Sequence, residues 1–542
     1  MIAILSNTNC DPVIRKVSKG VPCIENVGYG NVLEALLNPV SNVVTGNPDI
    51  VIILMDIREY IQDKADYEER IKGFFSDIEN AMQPGIRYYI SDADYYISYD
   101  GDYKGTSIPR RAALIWNQNL YQFVDQHKNG YVFPLHRCVT DLGETEFYSD
   151  KAWNLGSIRY SKAGIERICQ EILHIASVSA GKIKKVIALD LDNTLWGGVA
   201  GEEGLQGIKL ADSRIGKAYK DFQSVLLYMK DCGAALTIVS KNNEADAWEI
   251  IDKHPHMLIH KQDISAYRIN WQSKAANIKE LAKEMNVGLN SFVFIDDNPL
   301  ERQEIKEFLP DVTVPDFPAM PEELPRFGRI ILENWFQRNE ITMEDREKTK
   351  QYQAMHEIEE ARTHAADFSS FLKGLQIKVT RQNPAEHLER VVQLVQKTNQ
   401  FNTTVVRYTQ NEVEEMLSSD EWRIFLYNVE DRFANHGLCA EAFVHIGQAP
   451  VIENFIMSCR VMGRNIEYGI LNDIEKTLAK EGYTSINALY CKGPKNMPVE
   501  TLYEQAGYIQ TNFVELEGKK EYNKLISGEE TGQIFVGEVI GS

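Results

Sequence analysis

The sequence predicts an α/β protein of several domains, two parallel-sheet units followed by a mixed α+β unit, and three observations carry that expectation. At 542 residues the chain exceeds what one hydrophobic core can serve, so three domains or four are expected. Short runs of branched apolar residues alternate with longer stretches of helical spacing, first up to about 180 and again from 186 onward. A proline cluster (Pro310, Pro315, Pro318, Pro321, Pro325) then interrupts the pattern, because proline propagates neither a helix nor a central strand.

The first unit, residues 1–180, has its strands in "MIAILSN", "DIVIILMDI", "IRYYISDA" and "YVFPL", with helical segments such as "YIQDKADYEERIKGFFSDIENAM" between them. A helix, "SKAGIERICQEILHIA", leads into the small-polar stretch 177–185, read as a linker. The second unit, 181–335, runs through "VIALDLD", "AALTIVS", "MLIH" and "SFVFIDD", each followed by a helical pattern. A charged helical connector occupies 336–367, and 368–542 reads as α+β.

Composition narrows the functional classes. The 44% hydrophobic and 25% charged residues are those of a globular protein, and neither a membrane-length apolar run nor a signal peptide is present, so a cytoplasmic location is expected. Eight scattered cysteines without zinc-ligand spacing read as reduced thiols. A formal net charge of -20 argues against nucleic acid or an anionic membrane as partner. The histidines His254, His256 and His260 are read as part of a loop and strand and not as metal ligands.

Asp190 and Asp192 end the first strand of the second unit. Two carboxylates that close repel, unless a cation lies between them or one takes a proton during turnover. Phosphoryl transfer supplies both conditions: Asp190 as nucleophile, Asp192 as acid and base. Ser240, ending "AALTIVS", could bind a phosphate oxygen, and Lys274 could offset developing negative charge. Asp296 and Asp297, ending the last strand, are natural ligands for Mg²⁺, with Asp190 and Asp192 completing the expected metal set. Strand ends are where open α/β sheets place ligands.

This set, with Thr194, resembles the haloacid dehalogenase superfamily: D-x-D-x-T, then Ser or Thr, then Lys, then an acidic pair. The resemblance implies a Rossmann-like core and, because Asp192 is present, phosphatase chemistry; the gaps where the superfamily inserts its large lids are short here, so no large cap is expected. The stretches "DLDNTLWGGVAGEEG", "SKNNEADA", "INWQSKAANI", "IDDNPLER", "QKTNQFNTT" and "SCRVMGRNIE" further resemble the FkbH-like proteins over nearly the whole chain. That resemblance implies removal of phosphate from 1,3-bisphosphoglycerate, a phosphorylated three-carbon metabolite. It also implies loading of the glyceryl unit on the phosphopantetheine arm of an acyl carrier protein. Two other readings stay open: a stand-alone small-metabolite phosphatase and a non-catalytic carrier-binding scaffold.

In the last unit, "ENFIMSCRVMGRNIEYGILNDIEKTLAKEGY" reads as strand, turn and amphipathic helix, the turn presenting backbone N–H groups to a phosphate. It is similar to the phosphate loop of the GNAT acetyltransferases, with Arg460 and Gly463 matching, Asn465 departing from the pattern, and Arg464 expected beside the ligand's phosphate. Cys459, next to Arg460, is a candidate acyl carrier. Lys397, Asn399, Gln400 and Asn402 are candidate binding residues, and Arg460, Arg464, Lys492 and Lys495 a candidate basic patch for a carrier. The first unit resembles the Ser-Gly-Asn-His hydrolases in layout; Ser6 stands at the nucleophile position, but Arg159 replaces the expected histidine, which implies a non-catalytic domain.

Overall fold

A computed structural model describes residues 1–24, 28–61, 66–93, 104, 107–364, 367–511, 518–527, 535 and 537–541. Residues 62–65 of the expected helix and 365–366 of the expected connector lie outside them. The chain divides into two compact units, Met1–Ile183 with Gln337–Glu340, and Lys184–Phe336 with Ile341–Ser542. Among the described residues no helix is long and apolar enough to cross a membrane.

The first unit holds a four-stranded parallel sheet in chain order: β1 (Ile2–Ser6), β2 (Ile50–Leu54), β3 (Arg87–Ser91) and β4 (Gly130–Phe133). These are the four apolar runs of the sequence. They are continuous and not alternating because both faces are buried. Ala3, Leu5, Val51 and Ile53 pack against helices Val32–Leu37, Tyr67–Ala81 and Ile108–Gln126. Ile2, Ile4, Ile50 and Ile52 meet Asp11–Val17, Leu135–Leu142 and Lys162–Ser179. The last of these helices reaches into the stretch expected as linker.

The second unit contains two sheets. One is parallel, in the order β7-β6-β5-β8, made of β5 (Val186–Leu189), β6 (Ala235–Ser240), β7 (Ile264–Ile269) and β8 (Phe292–Ile295). Leu189 lies beside Ile238 on one side and Ile295 on the other, so Asp190 and Asp296 leave adjacent strands at the same level. "MLIH" is not its third strand; "ISAYRI" is. Met257 and Ile259 are in the core, but the N–H groups of Leu258 and Ile259 donate to Gln223 Oε1 at 2.9 and 3.3 Å, so a side chain takes the place of a neighbouring strand.

The other sheet is mixed and eight-stranded: β9 (Lys378–Gln382), β10 (Trp422–Glu430), β11 (Asn435–His445), β12 (Val451–Met457), β13 (Ser485–Cys491), β14 (Ile509–Gln510), β15 (Lys519–Leu525) and β16 (Glu538–Ile540), in the order β14-β15-β13-β12-β11-β10-β9-β16. β9 to β12 are antiparallel neighbours. β12 and β13, joined through helix Ile466–Lys480, run parallel but pair only at Val451–Asn487 and Ile452–Ala488. Beyond that point residues 401–404 lie between them. Thr403 N donates to Phe455 O at 3.1 Å and Met457 N to Phe401 O at 3.0 Å. On the other side Cys491 N donates to Thr403 O at 2.8 Å. Val405, directly after the insert, has φ 62°, a left-handed conformation costly for a β-branched residue.

Candidate active site

Asp190 follows β5 directly, and Asp296 and Asp297 follow β8. One carboxylate oxygen from each of the three lies within 4.8 Å of the others. Lys274, first residue of helix Lys274–Glu284, points its ammonium into this group, 2.9 Å from Asp190 Oδ1 and 2.6 Å from Asp296 Oδ2. The lysine and Asp296 are buried. Three carboxylates against one ammonium leave an excess of negative charge, and the electrostatics reflect it. Burial, then the charge of Asp190, push the Asp296 carboxyl up to about 6, although Lys274 pulls it down. Asp297 is pushed up to about 6 by the same causes. Burial works against the Lys274 ammonium, but Asp190 and Asp296 outweigh it and hold its pKa above the ordinary value. Hard oxygen donors with surplus negative charge suit a divalent cation of the magnesium type.

Asp192, expected as a further metal ligand, is not in this group. Its carboxylate is taken up by three donors: Trp196 Nε1 and Ala200 N at 3.0 Å on Oδ1, and Asn242 Nδ2 at 3.0 Å on Oδ2. Trp196 stands four residues on, in the turn that follows the strand, so the same short loop that presents Asp192 also satisfies it. Burial and the nearby Asp190 charge raise its pKa against these hydrogen bonds, the direction a proton donor needs. Ser240 ends β6, buried, one residue beyond the level of Asp190. Thr194 is fully buried, and its Oγ1 has no hydrogen-bond partner among the described residues.

Sequence reasoning missed three supporting residues. Asn242 and Trp196 hold Asp192, and Arg302 Nη1 donates to the carbonyls of Asp296 and Asp297 at 2.7 and 2.6 Å, fixing the turn that aims both carboxylates. All three lie in stretches singled out in the sequence, but nothing in residue type separates them from ordinary loop residues.

The last unit corrects several expectations. Arg464 is not available to a ligand: it is buried, with Nη1 2.7 Å from Asp431 Oδ2 and 3.1 Å from His436 Nε2, and Nη2 donating to Arg460 O at 2.7 Å. It leaves the candidate basic patch for the same reason, whereas Lys492 and Lys495 are exposed. Arg460 donates to Ser458 Oγ at 3.1 Å and Gln351 Oε1 at 2.5 Å. Cys459 lies beyond the strand, in the turn Cys459–Val461, partly buried, and its carbonyl accepts from Asn286 Nδ2 at 2.9 Å. Gly463 has φ 75° with open space where a Cβ would stand, and Asn465 adopts φ 59° before helix Ile466–Lys480. Asn402 belongs to the inserted segment and is buried, its Oδ1 accepting from Val405 N at 2.7 Å, while Asn399 Oδ1 accepts from Arg407 Nη2 at 2.6 Å. Lys397 ends helix Leu388–Lys397, exposed, and Gln400 lies in the turn that follows it.

In the first unit Ser6 is buried at the end of β1, its Oγ 3.1 Å from Thr8 Oγ1 and accepting from Thr8 N at 3.1 Å. Arg159 pairs with Asp56. The rings of His254 and His256 are tilted to each other at 51°, centroids 6.0 Å apart, and form no metal-type group among the described residues.

A parallel, Rossmann-like sheet with an aspartate after its first strand, a lysine heading a later helix and an acidic pair after its last strand has the haloacid dehalogenase fold. The chain is similar to a crystal structure of the N-terminal part of the protein BF1531 from Bacteroides fragilis, which contains a phosphatase domain and is complexed with Mg. The identity is 25%, the TM-score 0.57, and the match covers 62% of this chain and 94% of that one. Partial matches include the ribosomal-protein-S18-alanine N-acetyltransferase from Escherichia coli (11% identity, 30% of this chain and 99% of that chain, TM-score 0.22) and Ard1 from Thermoplasma volcanium (10%, 28% and 99%, TM-score 0.22). No family model matches the chain, and no curated protein matches it.

Proposed function

We propose that the Lys184–Phe336 segment is a Mg²⁺-dependent phosphatase of the haloacid dehalogenase type. The observation that carries this reading is the convergence of Asp190, Asp296, Asp297 and Lys274 at the ends of adjacent strands. Similarity to a phosphatase domain complexed with Mg supports it. Asp190, Asp296 and Asp297 would hold the ion, which when bound supplies positive charge to phosphoryl oxygens. Asp190 attacks phosphorus, forming an acyl phosphate while the bond to the leaving oxygen breaks. Asp192, its pKa raised, gives that oxygen a proton. It then takes a proton from water as the water attacks phosphorus, releasing phosphate and restoring Asp190. Lys274 keeps the nucleophile oriented and offsets charge in both steps, and Ser240 offers a hydroxyl to a phosphoryl oxygen. Asp190→Asn, nearly isosteric, should abolish phosphate release with the circular dichroism unchanged; release at the wild-type rate would sink the mechanism.

The finer reading takes 1,3-bisphosphoglycerate as substrate and passes the glyceryl unit to the phosphopantetheine arm of an acyl carrier protein. Cys459 is its candidate acyl carrier, and Arg460 and Gly463 its candidate grip on the arm. A specific observation favours the alternative of a stand-alone phosphatase: Arg464 is spent on Asp431 and the edge of β12 on residues 401–404, so little of the expected arm site is free. Intact-protein mass spectrometry of a holo carrier incubated with enzyme, Mg²⁺ and 1,3-bisphosphoglycerate decides between them. Gain of one glyceryl mass supports transfer; phosphate release without any mass gain supports the stand-alone enzyme.

A further inference from the structure

The carboxyl end of the first sheet carries a second concentration of charge, unconnected with the phosphatase chemistry. Asp56 stands two residues beyond β2, and Asn7, one residue beyond β1, locks it in place. Asn7 Nδ2 donates to Asp56 O at 2.8 Å, and Asp56 N donates to Asn7 Oδ1 at 2.8 Å. Onto the Asp56 carboxylate converge two guanidinium groups. Arg58 donates through Nε to Oδ1 at 2.8 Å and through Nη2 to Oδ2 at 2.5 Å, and Arg159 donates through Nε to Oδ2 at 2.9 Å. The loop after β1 meets the chain just before Arg159: Asn9 N donates to Ser157 O and Asn9 Nδ2 to Gly156 O, both at 3.0 Å. One face of the Arg159 guanidinium lies 3.7 Å from the ring centroid of Trp153.

Two positive charges thus share one carboxylate. Arg159 is 7% exposed, yet only its Nε is engaged; among the described residues Nη1 and Nη2 have no hydrogen-bond partner and the side chain has no second ion pair. Neither Nη atom is among the fully buried unpaired polar atoms, so that edge is open to solvent, and a second anion can reach it and add to the pairing that one shared carboxylate supplies. Its free edge is the planar fork that binds carboxylate and phosphate oxygens in pairs. Parallel sheets of this kind place ligands at this end. Hydrolysis does not fit the same cluster, because Ser6 Oγ contacts only Thr8 among the described residues and no base is at hand.

We propose that this cluster is a binding site for the oxyanion of a small ligand, a phosphate or carboxylate group, anchored by the free edge of Arg159 with Arg58 as the second charge. No bond is made or broken there.

Trp153 reports on the site directly. The emission of the full-length, Mg²⁺-free protein minus that of its Trp153→Phe variant isolates this residue, and titration with inorganic phosphate and, separately, acetate should change it saturably. Saturation by phosphate alone identifies the ligand group as phosphate, and saturation by acetate alone as carboxylate. Arg159→Gln should weaken the effect about tenfold or more, on the scale of a charged hydrogen bond. Lys274→Met, a change in the other unit, should leave it in place when both proteins are titrated near pH 5, where the variant is expected to melt close to wild type. If the Gln variant does not fold, Arg159→Lys decides: it keeps the charge and loses the fork, so it should bind more weakly than wild type. An unresponsive Trp153 with both anions, an unchanged affinity in a folded Arg159 variant, or loss of the signal in Lys274→Met would overturn the proposal.

Discussion

Lys274→Met removes the ammonium that pairs Asp190 and Asp296 within the three-carboxylate cluster and leaves the carboxylates in place. Breaking a buried ion pair by deleting one partner costs about 3–5 kcal/mol, because the charge left behind is neither solvated nor paired. For a folding unit of this order, each kcal/mol lowers the melting temperature by about 2–4 °C, so a drop of about 6–20 °C is expected at pH 8 without metal. The loss should depend on pH in a definite sense. Asp296 and Asp297 have folded pKa values of about 6, above the unfolded value, and Lys274 is the foremost of the groups that pull both down, so they rise further in the variant. A carboxyl with a raised folded pKa holds its proton more tightly when folded. Its contribution is complete below about pH 4, the unfolded value, and is lost as pH rises through the folded pKa. The variant should therefore melt close to wild type near pH 5, where protons take over the role of the ammonium, and far below it at pH 8, where added Mg²⁺ should recover part of the difference. Calorimetric scans of both proteins at the two pH values, with and without Mg²⁺, measure this. An equal deficit at pH 5 and pH 8 would refute the electrostatic account, since a packing defect has no such dependence.

Mg²⁺ affinity of the wild type should climb as pH rises through about 6 and level off about one unit higher, because the protons on Asp296 and Asp297 compete with the ion; calorimetric titration across that range checks it. Asn242→Ala takes one donor from Asp192 Oδ2 and should lower the rate of phosphate release about tenfold with KM nearly unchanged, as expected for a residue that orients the acid without touching the substrate's binding groups. Arg464→Glu sets a carboxylate against Asp431 in a buried position and should destabilise the eight-stranded sheet by about 3–5 kcal/mol, seen as faster limited proteolysis after residue 367; a variant as resistant as wild type would mean the ion pair is not structural.

The parallel sheets were readable from sequence because strands buried on both faces must be continuously apolar, and β1, β2, β5 and β8 are. The carboxylate cluster was readable too, since Asp190 and Asp296 interrupt such runs at their carboxyl ends. The residues that tune them were not. Asn242 and Arg302 act through partners that only the folded chain brings near, and an arginine spent inside an ion pair, as Arg464 is, looks in sequence like one offered to a phosphate. "MLIH" misled for a related reason: its apolar residues are indeed in the core, but Gln223 supplies the hydrogen bonds that a strand would have taken from a neighbour. The 401–404 insert, "FNTT", lacks the alternation of a half-buried strand because it has strands on both sides and polar side chains, such as Asn402, folded back onto its own backbone.

That insert also constrains the order in which the molecule can be assembled. Residues 401–404 leave the ribosome long before either strand that will flank them, and their second neighbour, Cys491, follows about 90 residues later. At usual synthesis rates of about 5–20 residues per second the wait is roughly 4–18 s. Over that interval the segment can pair only with β12, once that strand is made, and its other edge stays unsatisfied until β13 follows. The sheet closes only when chain from three distant places meets at once, a non-local step of the kind that folds slowly.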